Sequence, residues 1–420
     1  MMSERARGRA GVLVVGAGEA GVRVATTLRE LGYDRPIVLC GDEPHQPYQR
    51  PPLSKAFLDG KAVHADLALR TPEFFRDAGI DVRPGRRVTD VEVDGSGAGT
   101  AMCEGGDTVE FDRLVLATGA RPRPLPADGG DLDGVCVLRG VDDAERLRDR
   151  LATAGRVVIV GGGYIGLEAA ALASARGLAT TVVEREDRLL SRVSAAPLPE
   201  FLAGRHREWG VEFELAADVR ELVGDGHRVQ DVRLADGRLL PADLVLVGIG
   251  AVPETTLAEK LGLDVRRGIV VDAACRTSHP GVWAVGDCTV RPHPHLPGEL
   301  IAVESVQNAN DQARAAAAAL AGAEPPRTPV PWFWSDQREL KLQIAGIASG
   351  YDRYVVRTDG SVAGLTVLYY RGGALIAAES VNRPADFLAV KRALGKGKTI
   401  APDPAADPGT ALKELITDRA

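Results

Sequence analysis

The sequence predicts an α/β protein: two Rossmann-like dinucleotide-binding domains, the second inserted in the first, followed by a C-terminal α+β domain. Three observations carry this reading. A glycine fingerprint occurs twice, in GVLVVGAGEAGVRVATTL (Gly16, Gly18, Gly21) and in RVVIVGGGYIGLEAAALA (Gly161, Gly163, Gly166). Each follows an apolar, β-branched run and opens a small-residue helical stretch, the context in which G-x-G-x-x-G binds a dinucleotide. Each predicted domain also closes on an apolar strand with a glycine exit, FDRLVLATGA in the first and ADLVLVGIGA in the second.

The fingerprint has a physical basis. Its first glycine makes the turn, the second lets backbone approach a pyrophosphate, and the third lets helix and strand pack closely, leaving the anion on a helix N-terminus. An acidic residue follows each fingerprint at the end of the next strand, Asp42 and Glu184, where a carboxylate can accept from ribose hydroxyls. Glu43 competes with Asp42 for that role. Two such units imply two dinucleotides, most simply FAD and a nicotinamide coenzyme with a hydride passing between them.

In chain order, strand VLVV follows Gly11, a helix runs to about Leu31, and strand PIVLC ends at Gly41-Asp42-Glu43. The proline-rich EPHQPYQRPPLSKAFLDG then interrupts the alternation, and so long a loop points to function. FDRLVLATGA ends in Ala117-Thr118-Gly119, and proline and charge mark the crossing into the inserted domain. That domain opens near Arg156, its second strand ATTVVE ends on Glu184, and ADLVLVGIGAVPE closes it near Gly250. GIVVDAACRTSHPGVWAVGDCT, with Trp283, Gly286 and Asp287, returns to the first domain and is followed by the helix of ESVQNANDQARAAAAALAG. Pro325, Pro326 and Pro331 mark the last boundary, beyond which alternating β segments and a terminal helix are expected. The expected domains are 1–120 with 251–325, then 121–250, then 326–420.

A chain of 420 residues and 44.4 kDa is too long for one ordinary core. It has no run of about 18 apolar residues, so no membrane span is expected. Its start, MMSERARGRA, runs straight into the first strand without the apolar region of a secretory signal, and a cytoplasmic location is the expectation. A net charge of -7 argues against nucleic acid as a partner but leaves room for local basic patches where a small acidic protein docks. Cys40, Cys103, Cys136, Cys275 and Cys288 form no C-x-x-C pair and no metal-ligand spacing. Buried thiols and no metal are expected.

Six segments make a resemblance specific: YQRPPLSK at 48–55, ATGARPR at 117–123, GGGYIGLE at 161–168, AVGDC at 284–288, ESVQNANDQAR at 304–314 and PWFWSDQ at 331–337. In this order they resemble the FAD-dependent NADH reductases of bacterial [2Fe-2S] ferredoxins, the family of the putidaredoxin, rhodocoxin and ring-dioxygenase ferredoxin reductases. The resemblance implies a glutathione-reductase-like fold. It implies an FAD site of Gly16, Gly18, Ala20, Gly21, Asp42, Arg50, Lys55, Val88, Ala117, Thr118, Gly119, Arg139, Asp287, Val306 and Trp334. The nicotinamide side takes Gly161, Gly163, Tyr164, Ile165, Gly166, Glu168, Glu184, Arg192, Gly248 and Ile249.

Three of these residues are assigned to catalysis. Lys55 places positive charge near the flavin, Glu168 pairs with it and holds the nicotinamide amide, and Trp334 lies against the flavin ring. Each has a structural alternative: an exposed loop lysine, a carboxylate favoured by a helix N-terminus, and a core tryptophan. Glu184 points to NADH, because a carboxylate repels a 2′-phosphate, while Arg185 and Arg192 pull the other way. Arg338 departs from the family pattern, where an aromatic residue is common. RPPLS carries no redox cysteine, unlike the corresponding segment of disulfide and coenzyme A disulfide reductases, so electrons must leave the flavin directly for an outside acceptor.

The implied activity is hydride transfer from NADH to FAD, then single-electron transfer to a [2Fe-2S] ferredoxin serving a haem monooxygenase or ring-hydroxylating dioxygenase. The ferredoxin is expected to dock near Arg314, Arg338 and Lys341 on a monomer or weak dimer. An NADH oxidase, a reductase associated with rubredoxin or nitrite reductase, and a flavin-containing signalling protein of the apoptosis-inducing-factor type stand as alternatives.

Overall fold

The apolar runs VLVV and RVVIV are buried from Val12 to Val15 and from Val157 to Val160, as the middle strand of a parallel sheet covered on both faces requires. The computed structural model describes residues 9–324, 326–358, 360 and 364–419. Residues 1–8, considered above for a leader, and Pro325 at the expected boundary lie outside the described residues. The chain forms two compact units. One is built from Met1–Gln49, Ala65–Arg121 and Val252–Pro329, the other from Arg50–His64, Pro122–Ala251 and Val330–Ala420.

The first unit holds a five-stranded parallel sheet in the order Val282–Ala284, Leu114–Leu116, Val12–Val15, Ile37–Cys40, Ile80–Arg83. Helices Glu19–Glu30 and Val306–Ala321 pack on one another, alanine-rich faces inward, with Ala20, Ala25, Ala309, Ala313 and Ala316 in one core. Ser305 caps the second of these helices by accepting from Asn308 N at 3.1 Å. An antiparallel meander of Val88–Val93, Gly99–Cys103 and Thr108–Phe111 belongs to the same unit.

In the second unit the same plan recurs. Its parallel sheet runs Val135–Cys136, Leu244–Val247, Arg156–Val160, Ala179–Glu184, Val211–Leu215, again with the fingerprint strand central and the glycine-exit strand beside it. An antiparallel meander, Val219–Gly224, Val229–Leu234 and Leu239–Pro241, matches that of the first unit. The duplication legible in two glycine motifs therefore extends over the whole dinucleotide-binding fold.

Residues 330–420 form a five-stranded antiparallel sheet, Trp332–Gln337, Leu340–Gly346, Ala374–Val381, Leu365–Arg371, Arg353–Arg357, covered by helix Pro384–Gly395. That helix does not end the chain, as the sequence reading expected. A short hairpin of Thr399–Ile400 with Ile416–Thr417 follows, its intervening segment tied to Arg357, which donates to the carbonyls of Ala405, Asp407 and Thr410. This sheet and the inserted segment cluster as one unit because they share a core: Leu340, Leu342, Val367 and Tyr369 lie with Leu198, Leu202 and Leu167.

The loop 50–64 clusters with the second unit rather than with the flanking strands, because its contacts are there. Leu58 sits in that unit's core and its carbonyl accepts from Arg176 at 2.8 Å, the Arg148 guanidinium lies 5.4 Å over the Phe57 ring, and Arg50 donates to the Arg139 carbonyl at 2.7 Å.

One buried acid makes this unit's stability pH-dependent. Glu379 is enclosed, with Ser194 Oγ and Tyr369 Oη each donating to it at 2.5 Å. Burial pushes its carboxyl from the ordinary 4.5 up to about 7. With the folded value above the unfolded one, its contribution to stability is full below about 4.5 and is lost as pH rises through 7. Denaturant unfolding of the Glu379→Gln variant beside the parent is expected to shift in the variant's favour as pH rises from 4.5 to 8; a constant difference refutes the assignment.

Candidate active site

In the first fingerprint the three glycines meet three different surroundings. Gly16 has φ +111, and a Cβ there would stand 2.1 Å from the Ala117 carbonyl oxygen. A Cβ on Gly21 would stand 1.9 Å from the Gly16 oxygen. Gly18 has nothing within 4 Å of the Cβ it lacks. The outer glycines are thus demanded by the chain's own backbone, while the middle one opens onto space. Gly18 is also the N-cap of its helix and offers no side-chain cap, so the helix N–H groups face that space unsatisfied by the cap. An anion is the group that fits there.

The second fingerprint repeats each term. Gly161 has φ +112 and its Cβ would lie 2.4 Å from the Gly248 oxygen; a Cβ on Gly166 would lie 2.1 Å from the Gly161 oxygen; Gly163 meets nothing within 4 Å and caps its helix without a side chain. The carbonyls of Ala117 and Gly248 are the backbone against which the two fingerprints turn. Tyr164 opens the helix with its ring 4.9 Å from Phe333, while Ile165 is exposed.

The strand-end acids are distinguished by their partners. Asp42 is exposed, with Oδ1 accepting from Glu43 N at 3.1 Å, whereas the Glu43 carboxylate is taken by the Tyr48 hydroxyl. Glu184 turns back onto the loop, Oε2 accepting from Gly162 N at 2.7 Å and Oε1 from Glu186 N at 3.0 Å. Arg185 is exposed and pairs with Glu186, whereas Arg192 points an Nη2 to within 3.7 Å of the Cβ that Gly250 lacks.

The remaining first-unit residues support this loop. Gly286, at φ +82, donates its N–H to Gln312 Oε1 at 2.7 Å, and its missing Cβ would lie 3.1 Å from Ala20 Cβ. Asp287 follows directly, in a turn whose Thr289 hydroxyl donates to the Gly286 carbonyl at 2.8 Å. Thr118 Oγ1 donates to Glu254 O at 2.6 Å and Gly119 O accepts from Glu254 N at 2.9 Å. Val88 is buried at the start of its strand and Val306 is the first residue of its helix.

The second unit brings Lys55 and Glu168 together. Glu168 lies in the first turns of helix Tyr164–Ala175 and is 3% exposed; Lys55 follows the turn Pro51–Ser54 and stands with Nζ at 2.9 and 2.8 Å from the two carboxylate oxygens. Ser54 Oγ donates to Oε2 at 2.5 Å and Ser335 Oγ to Oε1 at 2.7 Å. Lys55 is therefore not a free loop lysine: it is the partly exposed end of a buried charge pair. Ser54 and Ser335 escaped sequence reading although both lie inside quoted motifs. The signal was the period of two in WFWSDQ, which puts Phe333, Ser335 and Gln337 on one face and Trp334 and Asp336 on the other. Trp334 is half-buried, its ring 5.4 Å from Trp332.

The cations assigned to docking are all exposed and none is isolated. Arg314 pairs with Asp311 at 3.3 Å, Lys341 with Asp336 at 3.6 Å, and Arg338, at φ +53 in the hairpin turn, lies 5.0 Å over the Trp209 ring. All five cysteines are buried, and burial pushes the Cys40 and Cys275 thiols up to about 12. No group of three metal-ligating side chains occurs, and no helix is long and apolar enough to cross a membrane, among the described residues.

The glycine geometry separates folding from binding. Gly166→Ala drives a Cβ into backbone and is expected to lower the melting temperature or abolish soluble protein, whereas Gly163→Ala is expected to fold as the parent does and to bind nicotinamide dinucleotide at least about tenfold more weakly. Calorimetry and dinucleotide titration check both; normal binding by Gly163→Ala removes the loop from the site.

Comparison with known proteins agrees with this geometry. Residues 10–313 match the pyridine nucleotide-disulphide oxidoreductase family and residues 332–416 match a reductase C-terminal domain. The chain is 40% identical to rhodocoxin reductase of Rhodococcus erythropolis over 405 residues, covering 96% of this chain and 94% of that protein. It is 41% identical to putidaredoxin reductase of Pseudomonas putida over 410 residues, covering 96% of each. A rubredoxin-NAD(+) reductase of Pseudomonas putida is 37% identical over 373 residues, 89% of this chain and 96% of that protein. Among solved structures, a covalent putidaredoxin reductase–putidaredoxin complex superposes with a TM-score of 0.92 at 39% identity, covering 97% of this chain and 98% of that one. The chain thus belongs to the pyridine nucleotide-disulphide oxidoreductase family, in the group of flavin- and nicotinamide-dependent ferredoxin reductases that carry the additional C-terminal domain.

Proposed function

We propose that this protein takes a hydride from NADH and passes electrons one at a time to a [2Fe-2S] ferredoxin that serves a haem monooxygenase or a ring-hydroxylating dioxygenase. The observation that carries the reading is the Lys55–Glu168 pair, buried beside a helix whose glycine-capped N-terminus is open to an anion, on a chain with no thiol in its RPPLS segment. The bound FAD supplies the exchange between a two-electron donor and a one-electron acceptor. What the chain supplies is placement and charge.

On this reading Gly16, Gly18 and Gly21 cradle the FAD pyrophosphate, Asp42 accepts from its ribose and Asp287 from its ribityl chain. Ala20, Val88, Ala117, Thr118, Gly119 and Val306 line the same site, and Arg50, Arg139, Lys55 and Trp334 complete the set. Gly161, Gly163 and Gly166 with Tyr164, Ile165, Gly248 and Ile249 receive the nicotinamide dinucleotide, and Glu168 orients its amide. Glu184 accepts from the ribose, and Arg192 stands beside the loop. Residues 1–120 with 251–325 serve FAD, 121–250 serve NADH, and 326–420 form the C-terminal domain. The protein works in the cytoplasm as a monomer or weak dimer.

Support for a ferredoxin partner comes from the relatives, which include rhodocoxin and putidaredoxin reductases and a structure solved with putidaredoxin. Arg314, Arg338 and Lys341 are the exposed cations we assign to its docking. A rubredoxin is the second acceptor to test, since a rubredoxin reductase is also a relative. NADH-driven reduction of a [2Fe-2S] ferredoxin is expected to outpace reduction of rubredoxin and of oxygen, and to slow as ionic strength rises because screening weakens steering between opposite charges. Arg314→Glu is expected to slow ferredoxin reduction while leaving flavin reduction unchanged in stopped flow; equal loss in both steps moves Arg314 from the interface to the fold.

Glu184 sets the coenzyme. NADH is expected to be preferred over NADPH by at least about tenfold in kcat/KM, roughly 1.4 kcal/mol, and Glu184→Ala to raise the KM for NADH. Parallel steady-state assays decide, and a preference for NADPH would hand the pocket to Arg185 or Arg192.

A further inference from the structure

Glu168 is tied not only to Lys55 but to a line of buried side chains whose hydrogens can be placed by elimination. Ser335 Oγ lies 2.7 Å from Glu168 Oε1. A carboxylate paired with an ammonium only accepts, so the single hydroxyl hydrogen of Ser335 is given to Glu168. Gln337 Nε2 stands 3.2 Å from the same Oγ, and the hydroxyl, its hydrogen already committed, accepts from the amide. Gln337 Oε1 then faces His206 Nε2 at 2.8 Å with lone pairs only. His206 must carry its hydrogen on Nε2.

The rest of the ring's surroundings agree. Nδ1 is buried with no hydrogen-bond partner among the described residues, which suits a lone pair and would strand an N–H. The ring packs between Trp209, at 4.8 Å, and Phe213, at 6.2 Å, with the Arg338 and Arg205 guanidinium groups over the Trp209 ring. Burial lowers the imidazole to about 4, with the Arg338 charge acting in the same sense, so it is neutral at ordinary pH. Glu168, Ser335, Gln337 and His206 are each 3% exposed or less. Every donor in the line points toward Glu168, and the line ends on it.

We propose that His206 is a positioning residue for the Lys55–Glu168 pair: through Gln337 and Ser335 it commits a hydrogen to Glu168 Oε1 and so fixes the carboxylate that Lys55 contacts. This rests on the reading of that pair as part of the hydride-transfer site. Without the His206 donor, Gln337 Oε1 is a buried acceptor with no donor, so the amide that donates to Ser335 is no longer held in place, and neither is the hydroxyl that is committed to Glu168 Oε1.

The test uses the FAD-loaded protein labelled with 15N-histidine, the His206 signal being the one lost in His206→Phe. A neutral ring with hydrogen on Nε2 from pH 5.5 to 8 is expected; an Nδ1–H ring or a protonated one in that range overturns the proposal. In stopped flow, His206→Phe is expected to slow flavin reduction at saturating NADH about tenfold while the half-saturating NADH concentration changes less than about twofold. His206→Gln, which presents a donor at the Nε2 position, is expected to recover most of the rate, and equal slowing in both variants overturns the role. Should His206→Phe fail to fold, Gln337→Met breaks the next link and is expected to show the same slowing; a parental rate there is equally fatal. Glu168→Gln separates the layers. Slow reduction in Glu168→Gln beside a parental rate in His206→Phe overturns the His206 role alone, and parental rates in both overturn the reading of the site together with the inference.

Discussion

A carboxylate as enclosed as that of Glu168 must find donors where it lies, because a buried, unpaired charge is among the costliest features a fold can carry. Two separate stretches of chain meet that requirement: Ser54 and Lys55 from the loop after residue 49, and Ser335 from the first strand of the C-terminal sheet. Removing one partner from such a pair costs on the order of 3–5 kcal/mol. The loop 50–64, the fingerprint helix and the C-terminal sheet are therefore fastened to one another by one buried carboxylate. Under the proposed function, stability and hydride transfer share this ion pair, with its Lys55 end the more exposed.

Around that pair the fold is governed by backbone rather than by side chains. In both parallel sheets the fingerprint strand turns so tightly that a carbonyl of the neighbouring strand, Ala117 in one and Gly248 in the other, occupies the place of a Cβ. A carbonyl of the turn then does the same to the third glycine. Only the middle glycine, Gly18 or Gly163, has no protein reason to be glycine. The room it leaves, at the uncapped end of a 12-residue helix, is the room an anionic cofactor needs. Folding and binding thus make different demands on neighbouring positions in one short motif.

Polar groups farther in show how closely this unit accounts for its hydrogens. The Ser335, Gln337 and His206 line and the Ser194, Tyr369 and Glu379 cluster both join the C-terminal sheet to the inserted segment through buried hydrogen bonds. Such bonds are directional and fail abruptly when one member is changed, whereas the leucine core beside them tolerates repacking. That combination explains why residues 330–420 cluster with the inserted segment rather than standing apart.

Much was legible from the chain alone, for local reasons. The two dinucleotide-binding folds follow from β-branched runs and glycine spacing, and the helix after Ser305 from the alanine-rich run that follows it. The position of Asp42 and Glu184 at the ends of their strands was readable because the apolar runs before them fix where each strand stops. What local pattern cannot contain is which distant groups share a buried site. Nothing local tied Glu43 to the Tyr48 hydroxyl that donates to it, and Ser335, Gln337 and His206 were ordinary polar residues until the hairpin laid them in line with Glu168. The sequence by itself determined the elements and the cofactor class, since these rest on spacing and residue type, while the Lys55–Glu168 pair was implied there only by family resemblance. Tertiary structure alone decided the hydrogen bookkeeping of the buried site, because Glu168, the Ser335–Gln337 strand and His206 come together from stretches far apart in the chain.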